Sequence, residues 1–167
     1  MSAREDERSM LERRARVLAR PHADQVPART LQARMRFEAG GEAFALDLAD
    51  VAAVARPLAF TALPGTTAPL VGVAVWRGQV ISVLDVAGLH GGRTALGSAT
   101  LRMIVLAGGR TAVLADSSPE IAALSDAVRA STAGRATYVK AVLPDGTALL
   151  NGAALRGDQL TVQEERA

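Results

Sequence analysis

The sequence predicts an all-β fold made of short strands joined by tight turns. From Leu31 onward, apolar and polar residues alternate with the period of two that is typical of a strand. Gly-Gly, Arg-Gly and Asp-Gly pairs separate the apolar runs and favour hairpin turns. With 49% hydrophobic residues in 167, the chain can bury a core without disulfides or metal ions. These three observations indicate a β-barrel or a β-sandwich.

The start of the chain differs because its apolar residues follow a helical period. Residues 3–19 are predicted to form a helix and residues 20–30 a linker, since Pro21 stops the helix. Ser2 and Glu5 have the spacing of a capping box. The apolar stripe of this helix consists of Leu11, Ala15 and Leu18. Two interpretations stay open: the helix packs on its own domain or frays, or it binds a partner.

Residues 1–30 hold all the excess positive charge of the chain. They carry seven Arg and five acidic residues, whereas residues 31–167 carry twelve cations and twelve acids. Because acids are interleaved with these Arg residues and aromatics are only 3% of the chain, nucleic-acid binding is not expected. No apolar run reaches the roughly 18 residues of a membrane span, and no secretory signal precedes the strands. We therefore expect a cytoplasmic protein without membrane insertion.

The first predicted hairpin turns at the Gly-Gly pair 40–41, between two alternating runs. After it, Asp50 is expected to cap a short helical turn that carries Val51 and Val54. Pro and Gly residues then predict a loop over residues 56–69.

The second predicted hairpin covers residues 70–86 and turns at Arg77-Gly78. Both arms are nearly continuous in Val, Ile and Leu, which predicts strands that are buried on both faces. Residues 87–90 are expected to form one helical turn, and residues 91–99 a loop.

The last part of the chain predicts two more hairpins, over residues 101–115 and 138–150. Between them, residues 119–136 have a weaker pattern that fits a short strand or helix followed by a loop. Residues 153–160 are predicted to form a closing helix.

Few residues have catalytic potential. The chain has no Cys and two His, His22 and His90, so thiol chemistry and His-rich metal sites are excluded. Neither a Gly-Lys-Ser/Thr phosphate loop nor a nucleophile elbow is present. Asp85 and Asp116 each follow an apolar run, where a carboxylate caps a turn more often than it acts as a general acid or base. We expect no enzyme activity, no cofactor and no metal, with His90 in an exposed loop.

An ordered set of motifs resembles the CheW family of chemotaxis coupling proteins. The recurring core of that family is a Gly, a short apolar run, Arg-Gly, a second apolar run, and Asp with an apolar residue. In this sequence the core is formed by Gly72, Arg77-Gly78 and Asp85-Val86. The other matching segments are Glu42–Val51, Val54–Pro57, Leu63-Pro64, Met103–Leu106, Gly109–Asp116, Tyr138-Val139 and Asp145-Gly146. The match extends over residues 31–160 in the right order and spacing.

The resemblance implies two interlocked small five-stranded β-barrels over residues 31–160, joined by short helices. An N-terminal helix and linker would occupy residues 1–30, and a tail residues 161–167. The implied function is a non-catalytic adaptor that couples methyl-accepting chemoreceptors to a CheA-type histidine kinase in a two-component signalling array. Its partners would be the kinase regulatory domain and the cytoplasmic receptor tip, at membrane-associated arrays. The alternative is a CheW-like scaffold of a chemosensory-like pathway that controls surface motility or gene expression.

The resemblance also implies a receptor-binding groove. Its candidate residues are Val51, Ala53, Val54, Arg77 and Gly78. Two alternatives stay open: Arg77 holds its turn through an ion pair with Glu42 or Asp85, and Val51 and Val54 belong to the core.

Other motif residues are expected to be structural. They are Glu42, Gly72, Asp85, Gly109 and Asp116. The chain departs from the family pattern at Ala53, where an acidic residue is frequent, so a charged receptor contact is not expected there. Small residues from Ala115 to Ser118 replace bulky ones, which points to a change in the second barrel or in the surface it presents.

Overall fold

The structure is a computed structural model that describes residues 30–57, 59–126 and 138–157. Over these residues it is all-β, as predicted, with eleven strands. The strands are β1 Leu31–Ala39, β2 Glu42–Asp47, β3 Val51–Ala55, β4 Phe60–Ala62, β5 Leu70–Trp76, β6 Gln79–Leu84, β7 Arg102–Leu106, β8 Thr111–Ala115, β9 Glu120–Ser125, β10 Val139–Val142 and β11 Ala148–Leu150. The predicted N-terminal helix, its linker and the C-terminal tail lie outside the described residues, apart from Thr30 at the end of the linker.

The strands form two sheets, and one of them combines strands from the beginning and the end of the described domain. Across the described residues, one sheet has the order β10-β11-β2-β1-β9, and the other has the order β3-β7-β8-β6-β5-β4. The first sheet therefore combines strands from both ends of the domain, and the second contains the strands between them. The two sheets carry five and six strands, and the edges of the larger one are β3 and the short β4.

The four predicted hairpins are present, and their turns explain the Gly pairs. Gly40 and Gly41 have φ of 60° and 82°, the positive values that a tight turn with right-handed strand twist requires. The β5–β6 turn has the same form, with φ of 49° at Arg77 and 80° at Gly78. Arg77 is thus a non-glycine residue in the left-handed region, which is uncommon.

The segment from residue 48 to 69 differs from the prediction. The helical turn, a 3-10 helix, is Leu48–Asp50, and Val51 and Val54 belong to strand β3 instead. The prediction of a helical turn carrying these valines was wrong because β3 pairs with β7, and this long-range pairing outweighs local helix propensity. The expected loop 56–69 likewise contains β4, which pairs with β5.

The β5–β6 hairpin is not buried on both faces, contrary to the prediction. Val75 and Val80 lie directly opposite each other and are 61% and 67% exposed. The reason is that β8 first pairs with β6 at Ser82, so the tip of the hairpin extends past its neighbour. The continuous apolar pattern could not reveal where that neighbour ends.

The core has a main cluster that spans both sheets. Phe37 and Phe44 stack with ring centroids 5.8 Å apart, and they pack with Leu84 and Leu106 from the other sheet. A second cluster inside the six-stranded sheet includes Ile81 and its neighbours on β7 and β8. Burying each large apolar side chain stabilises the fold by about 1.5–3 kcal/mol, so the shared cluster ties the two sheets together.

Two shorter predictions are settled by local structure. The helical turn near residues 87–90 is confirmed as the 3-10 helix Val86–His90. The closing helix, α1, is Gly152–Arg156, capped by Asn151, whose side chain accepts a hydrogen bond from the Ala154 amide. The rest of the predicted helix, residues 158–160, lies outside the described residues. Of the weak segment 119–136, the described part forms β9.

Candidate partner-binding surface

Strand β3 carries three of the candidate receptor-binding residues at one edge of the six-stranded sheet. An irregularity between Val51 and Ala53 turns their side chains toward different clusters. Val51 is half-buried against the main cluster, and Ala53 packs against the second one. Val54 is 44% exposed. The core interpretation therefore fits Val51, whereas Val54 is available at the surface.

Arg77 and Gly78, the other two candidates, form the exposed turn between β5 and β6. The guanidinium carbon of Arg77 lies 5.1 Å from the ring centroid of Trp76, a distance that permits a cation–π interaction. Glu42 is instead bonded to His90, and Asp85 is bonded to backbone amides and Thr94. The described residues therefore show no ion pair between Arg77 and either carboxylate.

The strand directions bring the turn and the start of β3 to the same end of the sheet. β3 and β8 are each antiparallel to β7, and β8 is parallel to β6, so β3 and β6 run in the same direction. Val51 begins β3 and Gln79 begins β6, directly after the turn. Ala53 and Trp76 also pack against the same second cluster. The candidates thus lie around one end of a single packed unit, although β3 and β5 are not adjacent strands.

Asp85 and Asp116 together fix one loop segment, at Thr94 and Ala95, by accepting hydrogen bonds from its backbone amides. Asp85 accepts hydrogen bonds from the Ala87 amide at 3.1 Å and from the Thr94 amide at 3.0 Å. Asp116 accepts from the Gly40 amide at 2.6 Å and the Ala95 amide at 2.8 Å. Each carboxylate is an acceptor for backbone groups, which is the role of a turn cap.

The remaining motif residues have steric or packing roles. A Cβ on Gly72 would overlap the carbonyl oxygen of Thr61 and lie 3.0 Å from the ring of Phe60, so β4 can pair only with a glycine there. Gly109 has φ of 67° in the β7–β8 turn. His90 is exposed, as expected, but it belongs to a 3-10 helix and is held by Glu42.

The sequence pattern does not predict the side-chain network that is centred on Arg34. Its side chain is 6% exposed and donates to Asp47 at 2.8 Å and to Asp126 at 2.7 Å. Burial lowers the pKa of Arg34, but the bonds and charges of these two carboxylates outweigh burial and raise it. Lys140 also binds Asp47. Arg34 occupies a polar position of the alternating pattern, which gives no sign that its side chain is buried.

A cleft of about 430 Å³ lies between the loop before β5 and the segment after the 3-10 helix Val86–His90. Leu63, Leu70 and Leu96 line it together with Asp85, whose carboxylate is already bonded. Among the described residues, no group of three or more His, Asp or Glu is placed to hold a metal ion. In the same part of the chain, every helix is too short or too polar to cross a membrane.

Comparison with known proteins decides the family. Residues 34–159 match the CheW-like domain. The chain belongs to the CheW-like domain family. Among solved structures, the fold is similar to the scaffolding protein TtCheW from Thermoanaerobacter tengcongensis, with a TM-score of 0.59 and 20% sequence identity. That similarity covers 72% of this chain and 89% of that chain, and no curated protein matches the chain.

Membership gives the CheW-like chain its general role. The family consists of scaffold or adaptor proteins of chemotaxis and is generally non-catalytic. The motifs around Arg77-Gly78 predicted a CheW-like fold, and the all-β structure with two sheets agrees with that prediction.

Proposed function

We propose that this CheW-like chain is a non-catalytic adaptor that joins the cytoplasmic tip of methyl-accepting chemoreceptors to the regulatory domain of a CheA-type histidine kinase. It acts in the cytoplasm, at membrane-associated receptor arrays. The observation that carries the proposal is the exposed Arg77 turn, which lies at the same end of the sheet as the start of β3. It occurs in a chain that belongs to the CheW-like family.

The receptor contact is proposed to use β3 and the Arg77 turn. A receptor tip is a helical hairpin, and a helix docks through apolar anchors in a groove. Val54 supplies an exposed apolar anchor. Arg77 supplies a planar donor for carboxylates or for the carbonyl ends of a helix. Its stacking on Trp76 restrains the side chain, which reduces the entropy that binding must overcome.

The kinase contact is proposed to use the two exposed valines at the tip of the β5–β6 hairpin. Side chains alternate along a strand, so Val75 and Val80 lie on the face away from Trp76, which packs inward. Their exposure of 61% and 67% makes a small apolar surface, and apolar surface is the common centre of a protein–protein interface. The tip of this hairpin thereby presents Arg77 and Trp76 on one face and the two valines on the other.

The proposal is tested by co-sedimentation of the purified chain with receptor and kinase fragments from the same cell. Arg77→Ala is expected to weaken the receptor complex more than the kinase complex, and Val80→Asp to do the reverse. Arg93→Ala is the matched control, because Arg93 is also an exposed Arg but lies in the loop that follows the other end of β6. If the chain binds none of the cognate receptor and kinase pairs, the proposal is overturned. Equal loss of both partners in Arg77→Ala, with a lower melting temperature, would instead assign Arg77 a structural role.

A further inference from the structure

An uncovered apolar face lies on the ribbon formed by β1 and β9. Leu31 is 61% exposed and Ile121 is 67% exposed, and Ala33 and Ala123 are exposed between them. The register pairs Ala33 with Ala123 and Met35 with Ile121, so all four side chains share one face. We name these four residues the ribbon face.

The ribbon face continues the inner face of the core. Met35 and Phe37 lie on the same face of β1 and are 9% and 2% exposed. Toward Leu31, this face extends past the described elements that cover the core. An apolar face that begins inside a core and ends in solvent is a candidate for coverage by another segment.

We propose that residues 1–29 of this chain cover the ribbon face with the apolar stripe Leu11, Ala15 and Leu18. The segment joins the described structure at Thr30, whose carbonyl oxygen accepts a hydrogen bond from the Asp126 amide at 2.9 Å. The segment is therefore tethered at one end of the face it would cover. A tethered ligand has an effective concentration in the millimolar range, which favours it over a free partner.

Dimensions also fit this occupant. From Leu31 to Met35 the strand extends about 14 Å, and a helical stripe from Leu11 to Leu18 extends about 10 Å. The predicted linker, residues 20–30, reaches about 36 Å when extended, which is enough to turn back.

Disulfide trapping in the full chain tests the proposal, because the native chain has no Cys. The test variant combines Leu18→Cys with Ile121→Cys, and the control combines Leu18→Cys with Gln32→Cys on the opposite, also exposed face. Gln32 is nearer to Leu18 along the chain, so the tether alone favours the control. We expect the test variant to form an intramolecular disulfide about tenfold faster. Equal rates would overturn the proposal, and disulfide-linked dimers would assign the ribbon face to a second copy.

A second substitution separates docking of the stripe from chance encounter. Leu11→Glu, added to the test variant, should reduce the rate of disulfide formation to that of the control. Ser9→Glu lies on the opposite side of the predicted helix and should leave the rate unchanged. Equal effects of Leu11→Glu and Ser9→Glu would contradict docking through the stripe.

Discussion

Asp85 holds Thr94 at two points, through the Thr94 amide at 3.0 Å and the Thr94 hydroxyl at 2.7 Å. The same carboxylate caps the 3-10 helix that follows β6 by accepting from the Ala87 amide. One buried side chain thus fixes both ends of the turn between β6 and the loop before β7. An Asp is suited to this position of the family motif because three donors converge on its carboxylate, which has only acceptor oxygens.

Asp85→Asn is expected to lower the free energy of unfolding by about 2–3 kcal/mol, because an amide nitrogen would replace an acceptor that faces an N–H donor. Thr94→Val removes only the hydroxyl bond and should cost about 1 kcal/mol. Chemical denaturation of both variants checks the order. The structural role would be contradicted if Asp85→Asn were as stable as the native chain. If the native chain also showed an enzymatic turnover that this variant lacks, Asp85 would be catalytic.

Gly72→Ala is expected to destabilise the fold by about 2–3 kcal/mol, the upper part of the range for an overpacked site that cannot relax. The added Cβ would meet the backbone of β4, which cannot move without losing its pairing with β5. Gly109→Ala is the comparison, because its Cβ would meet nothing within 4 Å and only the φ of 67° is unfavourable. It should cost about 1 kcal/mol. Equal losses of stability in denaturation would contradict the steric explanation.

Turn chemistry made much of this fold predictable. Glycine, which tolerates positive φ, marks the turn at 40–41, the Arg77-Gly78 turn and the β7–β8 turn, and such signals depend only on neighbours in sequence. β3 and β4 were not predictable because each forms against a strand that is distant in the chain. Local patterns contain no information about such partners.

The candidate site was predictable only in part for the same reason. The family motif identified Arg77, but its stacking on Trp76 and the position of the turn relative to β3 are properties of the folded sheet. The exposure of Val75 and Val80 depends on where β8 begins. Burial of Arg34 depends on two carboxylates that are 13 and 92 residues away.

Acid should destabilise the protein through Asp47. Burial alone would raise the pKa of Asp47, but hydrogen bonds from Lys140 and Arg34 lower it below its ordinary value of 3.8. A carboxyl with a depressed folded pKa stabilises the protein above its unfolded pKa, and that stability is lost as pH falls through the folded pKa. We therefore expect the free energy of unfolding to fall below about pH 4.

Asp47→Asn should make that acid-induced fall shallower, and urea denaturation between pH 2 and 5 would measure it. Part of the fall should remain, because the amide and hydroxyl of Thr147 lower the pKa of Asp145 against the effect of burial. An unchanged pH dependence in Asp47→Asn would show that the bonds from Lys140 and Arg34 do not stabilise the ionised carboxyl.

Arg77→Asn separates the turn from the binding surface. Asn-Gly favours the positive φ values that this turn already has, so the backbone should be retained. The loss of the Trp76 contact, about 0.5–1 kcal/mol, is offset by relief at φ of 49°, and stability should stay within about 1 kcal/mol. A lost charge-assisted bond of about 1.5–3 kcal/mol should weaken the receptor complex tenfold or more. Thermal denaturation and receptor titration measure the two effects separately. A large loss of stability with proportionate loss of binding would mean that Arg77 serves the fold.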